Sequence, residues 1–393
     1  MWPMRIGVLT GGGDVPGLNS VIKSVVYRST AVGNEVLGIR KGWEGLTHVR
    51  PGPAPDPVYI LPLDRENTRT IDRVGGTMLH TSRTNPKRMR EERLPDHLTP
   101  RDRERLKQPD GTYDLTPVVV ANLQRLGIDR LVVIGGDDTI SFARVLADQR
   151  YPLVAIPKTM DNDVQGTEYC VGFSTAVTRA KELVDRQRTT LASHERIGIF
   201  RIFGRDAGFS ALHTAYVTSG RCLIPEAPFD LDHLIDVLVE DKRSNPSRYA
   251  FVIAAEGAKW TGLALGEVGE PDAYGHRKKQ DVGDALSDQI RGRAGEDVIV
   301  SQLTYDLRSG DPDAFDQMVA TTFANIAVDL LDAGVTGQMV AVQRGTYTHT
   351  GLPDPRLGAR KVDVERQYDL DRFRPRYTAR LGYSLFLEGT PRD

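Results

Sequence analysis

The segment "DRLVVIGGDDTISFARVLADQRYPLVAIP" (residues 129–157) predicts the fold of this chain. It begins with an apolar run typical of a buried strand, "DRLVVI" (129–134), followed by a glycine-rich turn, "GGDDT" (135–139). A helical pattern, "ISFARVLAD" (140–148), and a second strand-like run, "PLVAIP" (152–157), complete the unit. Two strands joined by a crossover helix pair in parallel, because a right-handed connection packs the helix back onto the sheet. The segment therefore predicts a β-α-β unit of a parallel sheet.

The same alternation of strands and helices continues on both sides of this unit. "MRIGVLT" (4–10) runs into three glycines and is followed by a helical pattern at 18–32. Helical spacing recurs at 116–128, 230–242 and 314–334, and strand-like runs recur at 196–202, 248–257 and 337–345. This order predicts an α/β protein with two lobes built on doubly wound, mostly parallel sheets.

Composition excludes several classes of function. The 393 residues carry a formal charge of −2, so the chain lacks the basic field that attracts nucleic acid or an anionic membrane, and neither is expected as a partner. No apolar run reaches the roughly 18 residues that a membrane helix needs, and the N-terminus shows no signal-peptide pattern. Only two cysteines are present, Cys170 and Cys222, which is typical of a reducing compartment. We expect a cytoplasmic protein.

Three sharp turns follow strands and carry the polar residues of interest. They are "TGGGDVPGLN" (10–19), "GGDDT" (135–139) and "PKTMDND" (157–163). In an open parallel sheet, ligands bind outside the carboxyl ends of the strands. We therefore expect the three turns to converge on one crevice.

The first turn has the features of a phosphate-binding loop. Its glycines let backbone N–H groups approach an anion, and the helix that begins near Leu18 directs its positive end at the same place. Neither standard motif fits, however, because Pro16 breaks the dinucleotide fingerprint and Leu18 stands where the Walker pattern needs lysine. A plain glycine-rich turn remains the alternative.

The second and third turns supply charge. Asp137 and Asp138 beside a glycine pair favour a hard cation such as Mg²⁺, although aspartate or Thr139 could instead cap the helix. Lys158, Thr159, Asp161 and Asp163 then provide a cation, a hydroxyl and two carboxylates within one short loop. This combination suits phosphoryl transfer, in which positioning and neutralisation of charge do most of the work and a carboxylate can accept the acceptor's proton.

Six motifs together resemble the phosphofructokinase family from residue 5 to about residue 345. The order "PKTMDND" followed by "FGRDAG" is specific, whereas the glycine turns alone would not be. The motifs are "GVLTGGGDVPGLN" (7–19), "GGTMLHTSR" (75–83), "GGDDT", "PKTMDND", "SHERIGIFRIFGRDAG" (193–208) and "AAEGA" (254–258).

The resemblance implies roles for individual residues. Asp161 corresponds to the base that removes the sugar-phosphate hydroxyl proton, with Thr159 and Asp163 beside it, and Asp137 corresponds to the Mg²⁺ residue. Gly12 matches the phosphoryl-donor loop and Arg83 an arginine at the transferring group. Phe203, Gly204, Arg205 and Glu256 match residues on the sugar-phosphate side, although most members have methionine at the position of Phe203. The resemblance also places Arg205 among the catalytic residues.

The acceptor side departs from the short bacterial members. Tyr305 stands where they have histidine, whereas Arg308 keeps their arginine. An arginine usual six residues earlier is replaced by Ile299, for which Arg291 or Arg293 could substitute. The resemblance implies fructose 6-phosphate as the acceptor, with sedoheptulose 7-phosphate as a second candidate. Arg196 matches an arginine that crosses from a neighbouring subunit, so a homodimer or homotetramer is expected.

Asp138 and Lys158 bear on the phosphoryl donor. Pyrophosphate-using members resemble this chain in having these two residues, whereas ATP-using members commonly have glycine at the first position and many have it at the second. Asp138 would lie near the α-phosphate of a nucleotide. Two like charges about 4 Å apart cost about 1 kcal/mol in water and about 4 kcal/mol at an effective dielectric of 20, or about fivefold to a thousandfold in affinity. We expect diphosphate as the donor, with ATP as the alternative.

Two lobes are expected, each with its own substrate. We expect residues 1–172 with roughly 309–360 to form the donor and Mg²⁺ lobe, 173–308 to form the sugar-phosphate lobe, and 361–393 to be an extension without an assigned role.

Other protein families explain the motifs less well. Lipid and NAD kinases share a "GGDGT"-like turn but give no reason for "PKTMDND". A non-catalytic regulatory subunit would lack Asp161, and a nicotinamide dehydrogenase would need the fingerprint that Pro16 breaks.

Overall fold

A computed structural model describes residues 3–52, 56–261, 267–268, 270–271, 278–279 and 281–377. Its strands are β1 Arg5–Thr10, β2 Glu35–Ile39, β3 Ile60–Leu63, β4 Arg130–Gly135, β5 Leu153–Pro157, β6 Ile197–Ile202, β7 Arg221–Leu223, β8 Ala250–Ala255, β9 Glu267–Val268, β10 Lys278–Lys279, β11 Val298–Leu303, β12 Gln338–Gln343, β13 Thr346–Gly351, β14 Tyr368–Asp369 and β15 Arg374–Pro375. Its helices are α1 Leu18–Ala31, α2 Trp43–His48, α3 Pro100–Leu106, α4 Thr116–Arg125, α5 Asp137–Asp148, α6 Phe173–Ser193, α7 Phe209–Thr218, α8 Leu231–Ser244, α9 Val282–Ala294, α10 Tyr305–Arg308, α11 Ala314–Asp332 and α12 Val364–Gln367.

The larger sheet has seven strands in the order β13-β12-β5-β4-β1-β2-β3. The five inner strands run parallel, and the two edge strands, β13 and β3, are antiparallel to their neighbours. β4 and β5 are buried along nearly their whole length, as expected for parallel strands that helices cover on both faces. The predicted β-α-β unit is present, and it lies at the centre of this sheet.

A second sheet has four parallel strands in the order β11-β6-β8-β7. One continuous apolar core extends from the first sheet through α6 and α11 to the second. The predicted α/β architecture with mostly parallel sheets is confirmed. No helix in the described ranges is long and apolar enough to span a bilayer.

Residues 83–110 and the chain after residue 345, which show no clear periodicity in the sequence, have definite structure. Residues 83–110 consist mainly of turns and the short helix α3, around a small apolar cluster that includes Met89, Leu98 and Tyr113. The chain after residue 345 first adds β13 to the larger sheet and then packs Tyr368 and Phe373 into the core beside β7. There the Cys222 N–H donates to the Phe373 carbonyl over 2.7 Å. Residues 378–393 lie outside the described residues.

A buried carboxylate joins the segment after β5 to α11. Asp316 is fully buried and accepts four hydrogen bonds, from the Tyr169 hydroxyl, the Gly172 N–H, and both the N–H and hydroxyl of Thr175, over 2.6–2.8 Å. Burial raises the pKa of Asp316 to about 6, although these donors oppose the shift. The carboxylate thus fixes the start of α6 against α11.

Replacing Asp316 with asparagine is expected to lower the free energy of unfolding by about 2–4 kcal/mol. Every partner is a donor, so the amide NH₂ meets a donor instead of an acceptor, and hydrogen bonds to charged groups are worth about 1.5–3 kcal/mol each. Thermal unfolding would measure the loss. Asp329→Asn is the matched control because that residue pairs with Arg28 on the exposed face of the same helix, and equal losses in the two variants would contradict the prediction.

Candidate active site

The three polar turns line one cleft of about 1250 Å³ at the carboxyl ends of the parallel strands. Gly12 and Gly13 enter it from the turn after β1, Asp137 and Asp138 from the start of α5 just after β4, and residues 158–163 from the turn after β5. The topology alone predicted this convergence, because β1, β4 and β5 are adjacent parallel strands.

The glycines of the first turn make room for two cations. Gly12 has a φ of 81°, which favours glycine, and a Cβ there would lie 3.2 Å from the Lys158 ammonium. A Cβ at Gly13 would lie 2.3 Å from a guanidinium nitrogen of Arg308. The backbone thus approaches Lys158 and Arg308 so closely that a side chain at either glycine would require these cations to shift.

The second turn begins α5 three residues earlier than the sequence predicted. Gly136 is the N-cap and no side chain caps the helix, so Asp137, Asp138 and Thr139 lie inside its first turn rather than capping it. The capping interpretation of these residues is therefore wrong. Both carboxylates line the cleft near the positive end of α5.

The surroundings of Asp137 fit a bound cation. Burial and the neighbouring carboxylates of Asp163, Asp138 and Asp206 together raise its pKa to about 8, against the opposing charge of Arg205. In the described part of the chain, no group of three or more His, Cys, Asp or Glu side chains is arranged to hold a metal by itself. Mg²⁺ is usually held by one or two carboxylates together with substrate phosphate oxygens. Asp137 and its acidic neighbours fit that arrangement.

Lys158 is a buried cation at the floor of the cleft. Its side chain donates to the Gly13 carbonyl over 2.5 Å, and only 4% of the residue is exposed. Burial, with a further contribution from the charges of Arg308 and Arg83, lowers its pKa to about 8. An anion held here would restore the favourable environment that burial removes.

A left-handed residue shapes the loop that carries Asp161 and Asp163. Asn162 has a φ of 54°, and its side chain holds this conformation by donating to the Glu168 carbonyl and accepting from the Cys170 N–H. The turn lets both flanking carboxylates line the cleft. The Asp161 N–H donates to the Thr159 hydroxyl oxygen over 3.1 Å, which fixes the start of the turn.

Asp161 has the environment of a general base. No described residue donates a hydrogen bond to its buried Oδ1 atom. Burial raises its pKa to about 8, with further contributions from Asp163 and Glu256, and Arg308 and Arg205 oppose the shift. A buried acceptor without a donor is suited to a hydroxyl group of a bound substrate.

The opposite wall comes from the second sheet. The Arg308 guanidinium lies 4.5 Å from the centre of the Phe203 ring, and Tyr305 contacts the same ring edge-on. Arg205 donates to the adjacent Asp206 carboxylate over 2.6 Å. Glu256 accepts from Arg201 over 2.9 Å in a pair that is largely buried.

Most of the residues singled out in the sequence line this cleft. They are Gly12, Arg83, Asp137, Asp138, Lys158, Thr159, Asp161, Asp163, Phe203, Arg205, Glu256, Tyr305 and Arg308.

Four residues do not line it. Gly204 forms the turn behind Phe203, where its φ is 128° and a Cβ would lie 2.7 Å from the Ala207 carbonyl oxygen. Arg196 lies outside the cleft and pairs with Asp297 over 3.7 Å. Arg291 donates to the Val298 carbonyl and Arg293 pairs with Asp232, so neither replaces the arginine missing at Ile299 within this chain.

Sequence reasoning missed several charged residues of the cleft. Arg201 pairs with Glu256, and its charge inside the apolar run "RIGIFRI" was a signal that could have found it. Asp206 adds a further carboxylate. Arg360 and Lys361 arrive from the segment after β13, for which the sequence gives no local signal.

The phosphofructokinase family model matches residues 5–331, which is most of the chain. This chain belongs to the phosphofructokinase family. The match covers the cleft motifs as far as Arg308 but stops short of Arg360 and Lys361.

Similar members of the phosphofructokinase family differ in the donor that their names state. The chain is 38% identical over 348 residues to ATP-dependent 6-phosphofructokinase 3 of Streptomyces coelicolor, covering 87% of this chain and 92% of that one. It is 35% identical over 373 residues to pyrophosphate–fructose 6-phosphate 1-phosphotransferase of Amycolatopsis methanolica, covering 94% of this chain and 99% of the relative. Overall similarity therefore does not separate the two donors.

A solved phosphofructokinase shares the fold. The structure of the Saccharomyces cerevisiae enzyme superimposes with a TM-score of 0.70 at 26% identity over 89% of this chain. The match covers 45% of the yeast chain, so this chain spans less than half of its length.

Proposed function

We propose that this phosphofructokinase-family chain transfers a phosphoryl group reversibly from diphosphate to the 1-hydroxyl of fructose 6-phosphate, with Mg²⁺. The observation that carries the proposal is that Asp138 and Lys158 line the same cleft as the candidate base Asp161. A carboxylate and a buried ammonium at the donor end suit a small, highly charged donor without a nucleoside.

The donor end binds diphosphate through positive charge. Lys158 and Arg83 neutralise phosphate oxygens. In the glycine turn the N–H groups of Gly11 and Gly12 donate to the Ile134 and Ser82 carbonyls, so the backbone at Gly13 is the part of the turn that approaches the same anion. Asp137 would hold Mg²⁺, which when bound neutralises charge that develops on the departing phosphate. The Lys158 ammonium can anchor diphosphate directly, although this donor lacks the nucleoside that helps to anchor ATP.

The acceptor end supplies the proton transfer. The acceptor oxygen forms a bond to phosphorus as the bond from that phosphorus to the leaving phosphate breaks, and Asp161 takes the hydroxyl proton. In the reverse direction Asp161 returns the proton to the sugar oxygen. A base whose pKa is raised by burial towards neutrality suits both directions, because it neither holds nor releases the proton too strongly. Arg205 and Arg308 face Asp161 and can neutralise the transferring group.

The two ends come from different parts of the chain. In this proposal residues 1–172 with roughly 309–360 form the donor lobe, and residues 173–308 form the acceptor lobe. Gly12, Asp138 and Lys158 follow strands of the seven-stranded sheet, and Arg205 and Glu256 follow strands of the second sheet. Arg196 lies outside this cleft and is available to the cleft of another copy, so the proposal includes a homodimer or homotetramer, which the mass in solution would test.

Replacing Asp138 with glycine is the experiment that tests the donor. The wild type should prefer diphosphate, and the variant should gain about tenfold in its ratio of kcat/KM for ATP over that for diphosphate. This gain lies within the roughly 1–4 kcal/mol that a nearby like charge costs, and 1.4 kcal/mol corresponds to about tenfold. Initial rates with both donors, at saturating Mg²⁺ and fructose 6-phosphate, would measure it.

Asp148→Gly is the matched control because Asp148 is the exposed last residue of the same helix. It should leave the donor ratio unchanged. A wild type that prefers ATP would overturn the proposed donor, and an Asp138→Gly variant with an unchanged ratio would remove the electrostatic explanation.

A further inference from the structure

A short segment near the C-terminus connects the two walls of the cleft. We call Arg360–Val362 the strap. It lies between the loop at 157–163, which carries Asp161, and the turn at 203–208, which carries Arg205. Each of its three residues makes a hydrogen bond to one of these walls or to a side chain that holds one.

Arg360 holds the loop of the candidate base. Its N–H donates to the Asp163 carbonyl over 2.6 Å. Its guanidinium donates to the Asn162 carbonyl over 2.5 Å and to the Glu168 carbonyl over 3.4 Å. The same guanidinium lies 4.2 Å from the centre of the Phe209 ring, at the start of α7. The Arg360 side chain thus joins the left-handed turn at Asn162 to the start of α7.

The next two residues hold the opposite wall. The Lys361 ammonium donates to the Asp206 carbonyl, inside the turn that begins at Phe203. The Val362 N–H donates to Oε1 of Glu226 over 3.0 Å, and the same oxygen accepts from the Gly208 N–H. The strap therefore fixes the turn that carries Arg205 as well as the loop that carries Asp161.

We propose that Arg360 is a positioning residue for phosphoryl transfer and that the strap sets the distance between the base loop and the sugar-phosphate turn. Asp161 lies directly before Asn162, so a shift of the Asn162 carbonyl moves the base. A misplacement of about 1 Å can lower a rate by about a hundredfold even when the mutated residue does not touch the substrate. The inference rests on the proposed function, because it assigns Asp161 and Arg205 to one reaction.

The test compares Arg360→Gln and Arg360→Lys with Arg356→Gln. Arg356 is a matched control on the same segment, since its exposed side chain pairs only with the nearby Asp354 among the described residues. We expect kcat of Arg360→Gln to fall about tenfold to a hundredfold while KM for both substrates changes less than about threefold. Arg360→Lys keeps the charge and a donor, so it should recover part of the loss, and Arg356→Gln should match the wild type.

A purely structural role would give a different pattern. Thermal unfolding midpoints would then fall without a change in kcat per folded molecule, and that result would overturn the proposal. Wild-type kcat in both Arg360→Gln and Arg360→Lys would overturn it as well, because the guanidinium contacts would then have no effect on the reaction.

Amide hydrogen exchange tests the strap independently of the proposed function. Arg360→Gln should raise amide exchange in residues 157–163 and 203–208 above that of Arg356→Gln, whether or not the protein accepts diphosphate. Unchanged exchange there would contradict the strap. A wild type that is inactive with both donors would instead contradict the proposed function.

Discussion

Asp161→Asn is expected to lower kcat by about 10²- to 10⁴-fold, the range that general acid–base catalysis contributes in enzymes. Asparagine keeps the shape of the side chain but cannot accept the hydroxyl proton. KM for fructose 6-phosphate should change little, because the loss falls on the transition state rather than on binding. Initial rates over a range of fructose 6-phosphate, with diphosphate and Mg²⁺ saturating, would measure both quantities. A variant that keeps more than about a tenth of the wild-type kcat would exclude Asp161 as the base.

The same variant should be more stable than the wild type, and increasingly so at higher pH. Burial raises the folded-state pKa of Asp161 to about 8 from a usual value of 3.8. The folded state therefore keeps a proton that the unfolded state releases, so the wild type loses stability from this group as the pH rises from about 4 to 8. Asparagine has no such loss. The difference in thermal midpoint between the two proteins, measured without Mg²⁺ and substrates, should widen from pH 5 to pH 8.

A difference in thermal midpoint that does not change with pH would contradict a raised pKa for Asp161. The comparison uses a difference between two proteins because other groups titrate in the same range. His48 and His97, for example, have pKa values that burial lowers below the usual 6.5, and they act in the opposite direction in both proteins.

Lys158→Met is expected to lower kcat/KM for diphosphate by about a hundredfold. Methionine fills the same buried volume without the charge, and an ammonium about 4 Å from a phosphate charge contributes about 4 kcal/mol at an effective dielectric of 20. Arg83 and Arg308 lie close enough to lower the pKa of Lys158 and would share the neutralisation, so the expected loss is smaller than this energy alone implies. Stability should not fall, because burial already disfavours the charged form of Lys158.

The matched control is Lys242→Met. Lys242 has a side chain only 14% exposed and pairs with Glu296, but it lies on α8 and does not line the cleft. Its replacement should leave kcat/KM unchanged even if the protein unfolds at a lower temperature. If Lys158→Met lowers activity only because less protein is folded, its kcat/KM per folded molecule will match that of Lys242→Met. That result would contradict a role for Lys158 in donor binding.

The sequence predicts the fold well where burial leaves a local pattern. β1, β4 and β5 are continuous apolar runs that end in turns, and their parallel order predicts that the three polar turns share one cleft, as they do in the structure. By contrast, α6 was not predicted, because much of its buried face consists of alanine and threonine rather than large apolar residues. Small side chains give a weak helical periodicity even when they pack closely.

The strap shows why part of the site escapes sequence analysis. Arg360 contacts the carbonyls of Asn162 and Asp163, about 200 residues earlier in the chain, so no local spacing connects them. A carbonyl acceptor also leaves no trace in the sequence, since every residue has one. Arg201 differs, because a charge within a buried strand requires a partner and therefore indicates that one exists.

The order of strands in the larger sheet has a consequence for synthesis on the ribosome. Among the described residues, the outer edge of β5 pairs only with β12, whose residues are translated about 180 residues after those of β5. Until then a nascent chain exposes the unpaired N–H and C=O groups of an apolar strand of five residues, which is a surface that other unfolded chains can extend. Premature termination before residue 338 would leave that edge open permanently, so truncated products should aggregate rather than persist as partly active fragments.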